Sequence, residues 1–358
     1  MKMFKKLFCL LAVAVLSLTS CTDGDEPTPT PTGGGSLYLA TRELSGFPAR
    51  IFDLQGNTIY KCEEGECIRW LVAEGSDWYA LITRNDVTYR VVKNGKKIYG
   101  SDGKIWCFAV ENGAFYLVLE DSDHKVWACK GWESQQDKGS WYCQQLFEVN
   151  DGRLYNTFIV HDGAIVMAMG GAEPAISLNE TIHPMNEYLD HGFNWVYGID
   201  FYAGYWLITY EDFETRKNMY WWKNAINECP QYFQPTTSRI VNGHAFILGQ
   251  KTSSQGVGSI YGLPAVLIDG IETILSDDLM GFEAVGLASH GIDTYILVSH
   301  STGSISCIYK NLKAIRLPDV KMPYVLSPYG SNYSQDGKTN LASIGITAIA
   351  VVDGTKEP

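Results

Sequence analysis

Groups able to do chemistry are plentiful in this chain, but few are spaced for it. Its 358 residues include 40 acids and seven histidines, yet no His-Glu-x-x-His pair, Gly-x-Ser-x-Gly turn, full Gly-x-x-x-x-Gly-Lys-Ser/Thr phosphate loop or Cys-x-x-Cys stands anywhere in it. Hydrolysing a glycoside takes two carboxyls facing each other across a sugar, and 40 acids give too many pairs for sequence to select one. No histidine or cysteine spacing forms a metal site, so neither metal nor cofactor is expected. Cys62 and Cys67 frame Glu-Glu-Gly-Glu and could close a small disulfide loop. Cys107, Cys129, Cys143, Cys229 and Cys307 lie in apolar runs and read as buried free thiols. Five aromatics, Trp70, Trp106, Tyr155, Trp195 and Phe282, stand near the start of several apolar segments. Flat rings stack on the C–H faces of sugars, so these five are the candidate ligand-binding set. The competing reading is that they fill space between neighbouring segments.

The elements that must position them come from an internal repeat. Six turn glycines, Gly75, Gly113, Gly163, Gly204, Gly243 and Gly291, are spaced 38, 50, 41, 39 and 48 residues apart. Each follows an apolar strand and precedes a second strand such as Trp78-Tyr-Ala-Leu-Ile-Thr83 or Tyr205-Trp-Leu-Ile-Thr-Tyr210. Third strands end in a recurring Lys-Asn turn at Lys93-Asn94, Lys223-Asn224 and Lys310-Asn311. The runs are too short, too β-branched and too often broken by glycine to be helices.

A four-strand unit of this length is the signature of a β-propeller blade. Residues 36–60 supply second, third and fourth strands without a first, and Ile346-Thr-Ala-Ile-Ala-Val-Val-Asp-Gly354 supplies a first strand alone. Together they make one blade, and joining the termini in it removes two exposed sheet edges. The expectation is an all-β propeller of seven four-stranded blades, or six or eight if the long units at 114–192 or 292–345 divide differently. The first strands would bring the five aromatics round one mouth of the central channel.

The N-terminus carries a separate instruction. Lys2, Lys5 and Lys6 precede the apolar run Leu7 to Leu18, and Leu18-Thr-Ser-Cys21 closes it. This is an export signal, too short to span a bilayer. The four closing residues resemble the lipobox of bacterial lipoproteins, which implies acylation of Cys21 and attachment to a lipid bilayer. Residues 1–20 are the expected signal peptide, 21–35 the lipidated cysteine with an acidic, Pro-Thr-rich tether, and 36–358 a single propeller domain. Loss of 1–20 removes three lysines and no acid, taking the net charge from −12 to −15, so nucleic acid is excluded as a partner.

With its acidic tether and its recurring Lys-Asn blade ends, the chain resembles the β-propeller lipoproteins of gut Bacteroidetes. The resemblance implies an outer-membrane, cell-surface setting, with the periplasmic face as the alternative. Function is read as a non-catalytic binding module for a glycan or a partner protein at the channel mouth. The alternatives are a propeller glycoside hydrolase or polysaccharide lyase, and a scaffold subunit of an outer-membrane uptake or adhesion complex.

Overall fold

The computed structural model describes residues 35–43, 48–149, 153–252, 262–300, 305–315 and 346–353. The export segment, Cys21 and nearly all of the tether lie outside the described residues. The described residues form seven four-stranded antiparallel sheets, and each innermost strand packs against that of the next blade right round the ring. This is the seven-bladed β-propeller that the repeat predicts. Blade 1 combines 36–61 with 346–352; blades 2 to 7 span 66–101, 104–148, 153–184, 193–228, 233–274 and 282–315. Ile346–Val352 lies innermost in blade 1 and pairs with Ser36–Thr41, from Ser36 opposite Val352 to Thr41 opposite Ile346.

The apolar residues are distributed as a propeller requires. Middle strands are covered on both faces by neighbouring blades and so read as unbroken apolar runs, as in Trp78 to Ile82, all buried. Outermost strands such as Lys96–Ser101 are largely exposed and carry charge on their free edges. The core is seven wedges, one between each pair of blades. The wedge between blades 1 and 2, for example, holds Ala40, Ile51, Ile68, Ala80, Ile82 and Val352.

All six turn glycines adopt positive φ. In blades 3 to 6 the preceding residue does too (Asn112, Asp162, Ala203, Asn242), which is the type I′ pattern. Gly75 and Gly291 instead occupy the first turn position, followed by residues of ordinary φ, as in a type II′ turn. Around this face, adjacent blades are tied together. The Glu74 carboxylate accepts the N–H groups of Asn112 and Gly113, and that of Glu111 accepts those of Asp162 and Gly163 at 2.8 and 2.7 Å. Asn242 donates to the Gly291 carbonyl, His290 meets Asp353, and the Asp353 N–H reaches the Gly75 carbonyl.

The Lys-Asn turn has a physical role in two of its three instances. Asn94 and Asn311 open their turns, and their side-chain oxygens accept the N–H groups of Trp78 and Thr294 at 2.9 and 2.8 Å, stitching the third-to-fourth hairpin to the second strand. Asn179 and Asp269 do the same in blades 4 and 6, which lack the Lys-Asn pair. In blade 5 the register slips by one, and Lys223 takes the first turn position.

Two features depart from the sequence reading. Cys62 and Cys67 are both free thiols, not a disulfide. Cys62 packs in the blade 1–2 wedge with Ile68. Cys67 precedes Ile68 on one strand and therefore points to the other side. The second departure is a β-bulge in every innermost strand. One residue is left unpaired at Arg69, Trp106, Thr236, Val285 and Thr347, two separate ones, Asn194 and Tyr197, in blade 5, and four in blade 4, between Leu154 and Ile159. Each bulge lies nearer the strand start than the turn glycine. Thr236 and Thr347 use it to reach across and donate to the carbonyls of Ala284 and Ile68 in the next blade.

Candidate functional site on the loop face

One face of the ring carries the turn glycines. The opposite face, here the loop face, is where the innermost strands begin and where the longer connections run. On it, between blades 5 and 6 and reaching blade 7, opens a cleft of about 680 Å³. Tyr197, at the second bulge of blade 5, lines it and donates its hydroxyl to the Asn218 side-chain oxygen at 2.9 Å. Asn218 in turn donates to the Phe233 carbonyl at 3.1 Å. The segment Pro230-Gln-Tyr-Phe-Gln-Pro235, a turn running into the first strand of blade 6, forms a wall, with Tyr232 held at φ +68° while its carbonyl accepts the Thr252 N–H. Gln250 donates to Gln234 at 3.0 Å, which leaves the Gln234 amide group and the Gln250 oxygen as further donor and acceptor.

Charge in the cleft is nearly self-compensated. Arg216 lies 3.4 Å from Glu211 and Lys217 lies 2.7 Å from Glu228. Asp212 anchors the 212–217 loop. Burial works against its charge, yet hydrogen bonds from Thr215 and His191 hold its carboxyl below the usual range. Burial pushes the Tyr197 hydroxyl up to about 12, and it pushes the Glu283 carboxyl upward as well. The Glu283 carboxyl lines the cleft with no hydrogen bond or ion pair among the described residues.

The five sequence-selected aromatics do not form one ring. Trp70 follows the bulge of its strand, Trp106 occupies it, Trp195 lies between the two unpaired residues Asn194 and Tyr197, and Phe282 precedes its bulge by three residues. Phe282 is buried, edge-on to His300. Trp70 packs in the blade 2–3 wedge with Tyr79 and Tyr89. Tyr155 lies on the first strand of blade 4, with its side chain outside the described residues. Trp106 is 37% exposed, but the Lys104 ammonium sits 3.4 Å over one ring face and its indole N–H donates to Glu120. Trp195 is 47% exposed and sits directly opposite Glu211, one of the residues that line the cleft, in the strand register.

Sequence reasoning missed Tyr197, Asn218, Gln234, Gln250 and Glu283. The signal available was the 230–235 segment, where two glutamines and two aromatics are framed by prolines as the connection from blade 5 enters blade 6. The central channel itself is a smaller space of about 410 Å³, lined mainly by aliphatic residues of the innermost strands, with Asp200, Arg239 and Ser289 as its polar side chains among the described residues.

No family model matches the chain, and no curated protein matches it. Solved structures do. The β-propeller domain of the Trilobed protease from Pyrococcus furiosus, described as having an open velcro topology, aligns with a TM-score of 0.53 at 11% identity over 83% of this chain and 97% of that one. A prolyl endopeptidase structure aligns at 0.50 and 10% identity, over 79% of this chain and 48% of that one. The computationally designed Ika8 protein gives 0.43 at 11% identity, over 82% and 90%. At these identities the likeness is one of fold.

Proposed function

We propose that this chain is a non-catalytic binding module that captures a glycan in the loop-face cleft, held outside the cytoplasm by a lipid on Cys21. The observation that carries the reading is the lining of the cleft. Amides, hydroxyls and ion-paired carboxylates converge there, and the exposed Trp195 is the strand partner of Glu211, one of its lining residues. Sugar hydroxyls both donate and accept, as the Gln234–Gln250 and Tyr197–Asn218 pairs do. The Trp195 ring supplies a plane for C–H stacking. The ligand site is therefore moved from a ring round the channel to the space between blades 5 and 6.

The full chain should be tested on a glycan array beside Trp195→Ala, Gln250→Ala and Trp106→Ala. Retention is expected to fall at least tenfold for the first two and to hold for the third, with unfolding midpoints unchanged. Equal retention by all four proteins, or no retention of any glycan by the wild type, overturns the reading. A second reading, glycoside hydrolysis, draws support from Glu283 and Glu211 lining one cleft, the first desolvated and the second ion-paired. It requires release of reducing ends from a glycan the protein retains.

A further inference from the structure

We infer that the cleft selects a cationic sugar, an unacetylated amino-sugar unit whose ammonium group pairs with Glu283. This rests on the glycan reading above and names the ligand class. The argument starts from charge accounting. Both cations of the cleft are already engaged, Arg216 by Glu211 and Lys217 by Glu228. Tyr197 and Cys229, which also line it, have their titrations pushed up to about 12 by burial and stay neutral. Glu283 is left as a carboxyl with no partner among the described residues.

Its position makes that absence expensive. Glu283 sits near the start of the innermost strand of blade 7, between the buried Phe282 and Ala284 and opposite Ser299. A carboxyl withdrawn from water without a partner either loses its charge or waits for a cation. An arriving ammonium supplies the missing charge and three donors in a partly desolvated space, where such a pair is stronger than at an open surface. The acidic balance of the whole chain draws cations toward it as well. N-acetylation of the same sugar removes the charge and adds a group that must be accommodated, so the two forms separate on one chemical difference.

The test measures affinity of the full chain for oligomers of glucosamine, N-acetylglucosamine and glucose by calorimetry. A pH of about 6 keeps the amine protonated, since amines of this kind titrate near 7.7–8.0. The expected result is at least tenfold tighter binding of the glucosamine oligomer, a preference that weakens with salt and disappears in Glu283→Gln while glucose binding persists. Equal affinity for the three oligomers with Trp195 still required overturns this inference and leaves the glycan reading standing. So does a preference that survives Glu283→Gln. Absence of binding to every oligomer, together with an empty glycan array, removes the glycan reading and this inference with it.

Discussion

Gly131→Ala is a stringent test of how the blade 2–3 wedge is packed. Gly131 lies mid-strand in blade 3, opposite Phe115 on one side and Cys143 on the other. A Cβ built there would fall 2.0, 2.3 and 2.5 Å from Cζ, Cε1 and Cε2 of the Phe115 ring. Carbon pairs are comfortable at about 3.5–4.0 Å, so the ring must retreat by roughly 1.5 Å. It has nowhere to go. Phe115 is fully buried, with ring centroids of Tyr99, Trp141 and Phe108 at 5.5, 5.8 and 6.4 Å. Overpacking of this kind costs about 1–3 kcal/mol. Replacing a mid-strand glycine by alanine otherwise returns about 0.5–1 kcal/mol of backbone entropy. The net is a loss of about 1–2 kcal/mol, read as a lower urea midpoint at constant slope. In a Phe115→Leu background the obstructing ring atoms are gone, and Gly131→Ala should become neutral or stabilising, a coupling of about 1–3 kcal/mol. Equal stability of Gly131→Ala and wild type, or the same loss in both backgrounds, refutes the packing argument.

Two further predictions concern titration. Burial depresses the imidazoles of His183 and His300, so the unfolded chain takes up their protons first as pH falls. Stability from these residues is complete above the ordinary value of about 6.5 and is lost as pH drops below it. Glu283, shifted upward, acts in the opposite sense, and so does His124, raised by Glu120. Urea midpoints between pH 7 and 5 are therefore compared with those of the His183→Gln/His300→Gln protein, which should fall less steeply; parallel curves would sink the argument. Among the thiols, a hydrogen bond from Cys129 holds Cys143 below its ordinary range, while burial pushes Cys62, Cys229 and Cys307 up to about 12 and Cys107 upward too. Only the thiolate alkylates, so at pH 8 iodoacetamide should modify Cys143 roughly a hundredfold faster than those four, as followed by peptide mass mapping. Comparable rates at all five would contradict the arrangement.

The propeller was legible because its determinants are local and repeated. Each turn glycine marks a conformation that other residues resist, and each middle strand shows an unbroken apolar run because both of its faces are covered. Blade closure was legible too, since a missing first strand at one end matched a spare one at the other. The site was not. The bulges at Arg69, Trp106, Tyr197, Thr236, Val285 and Thr347 require no particular side chain, so nothing in the sequence announces them. Each shifts the alternation of its strand, which is why aromatics chosen for similar places in their strands point in different directions. Tyr197, Gln234 and Glu283 belong to three blades and meet only when the ring closes.

The pairing of Ser36 with Val352 also fixes an orientation. Val352 ends an innermost strand, and the preceding Gly35 lies against Val351 and His290, on the face that carries the turn glycines. The chain therefore enters the ring from the side opposite the cleft. A lipid on Cys21 would pull on that side through about fourteen residues, a reach of at most about 50 Å. The turn face would then look toward the bilayer and the cleft toward the medium, and a ligand arriving from outside would meet the open side first.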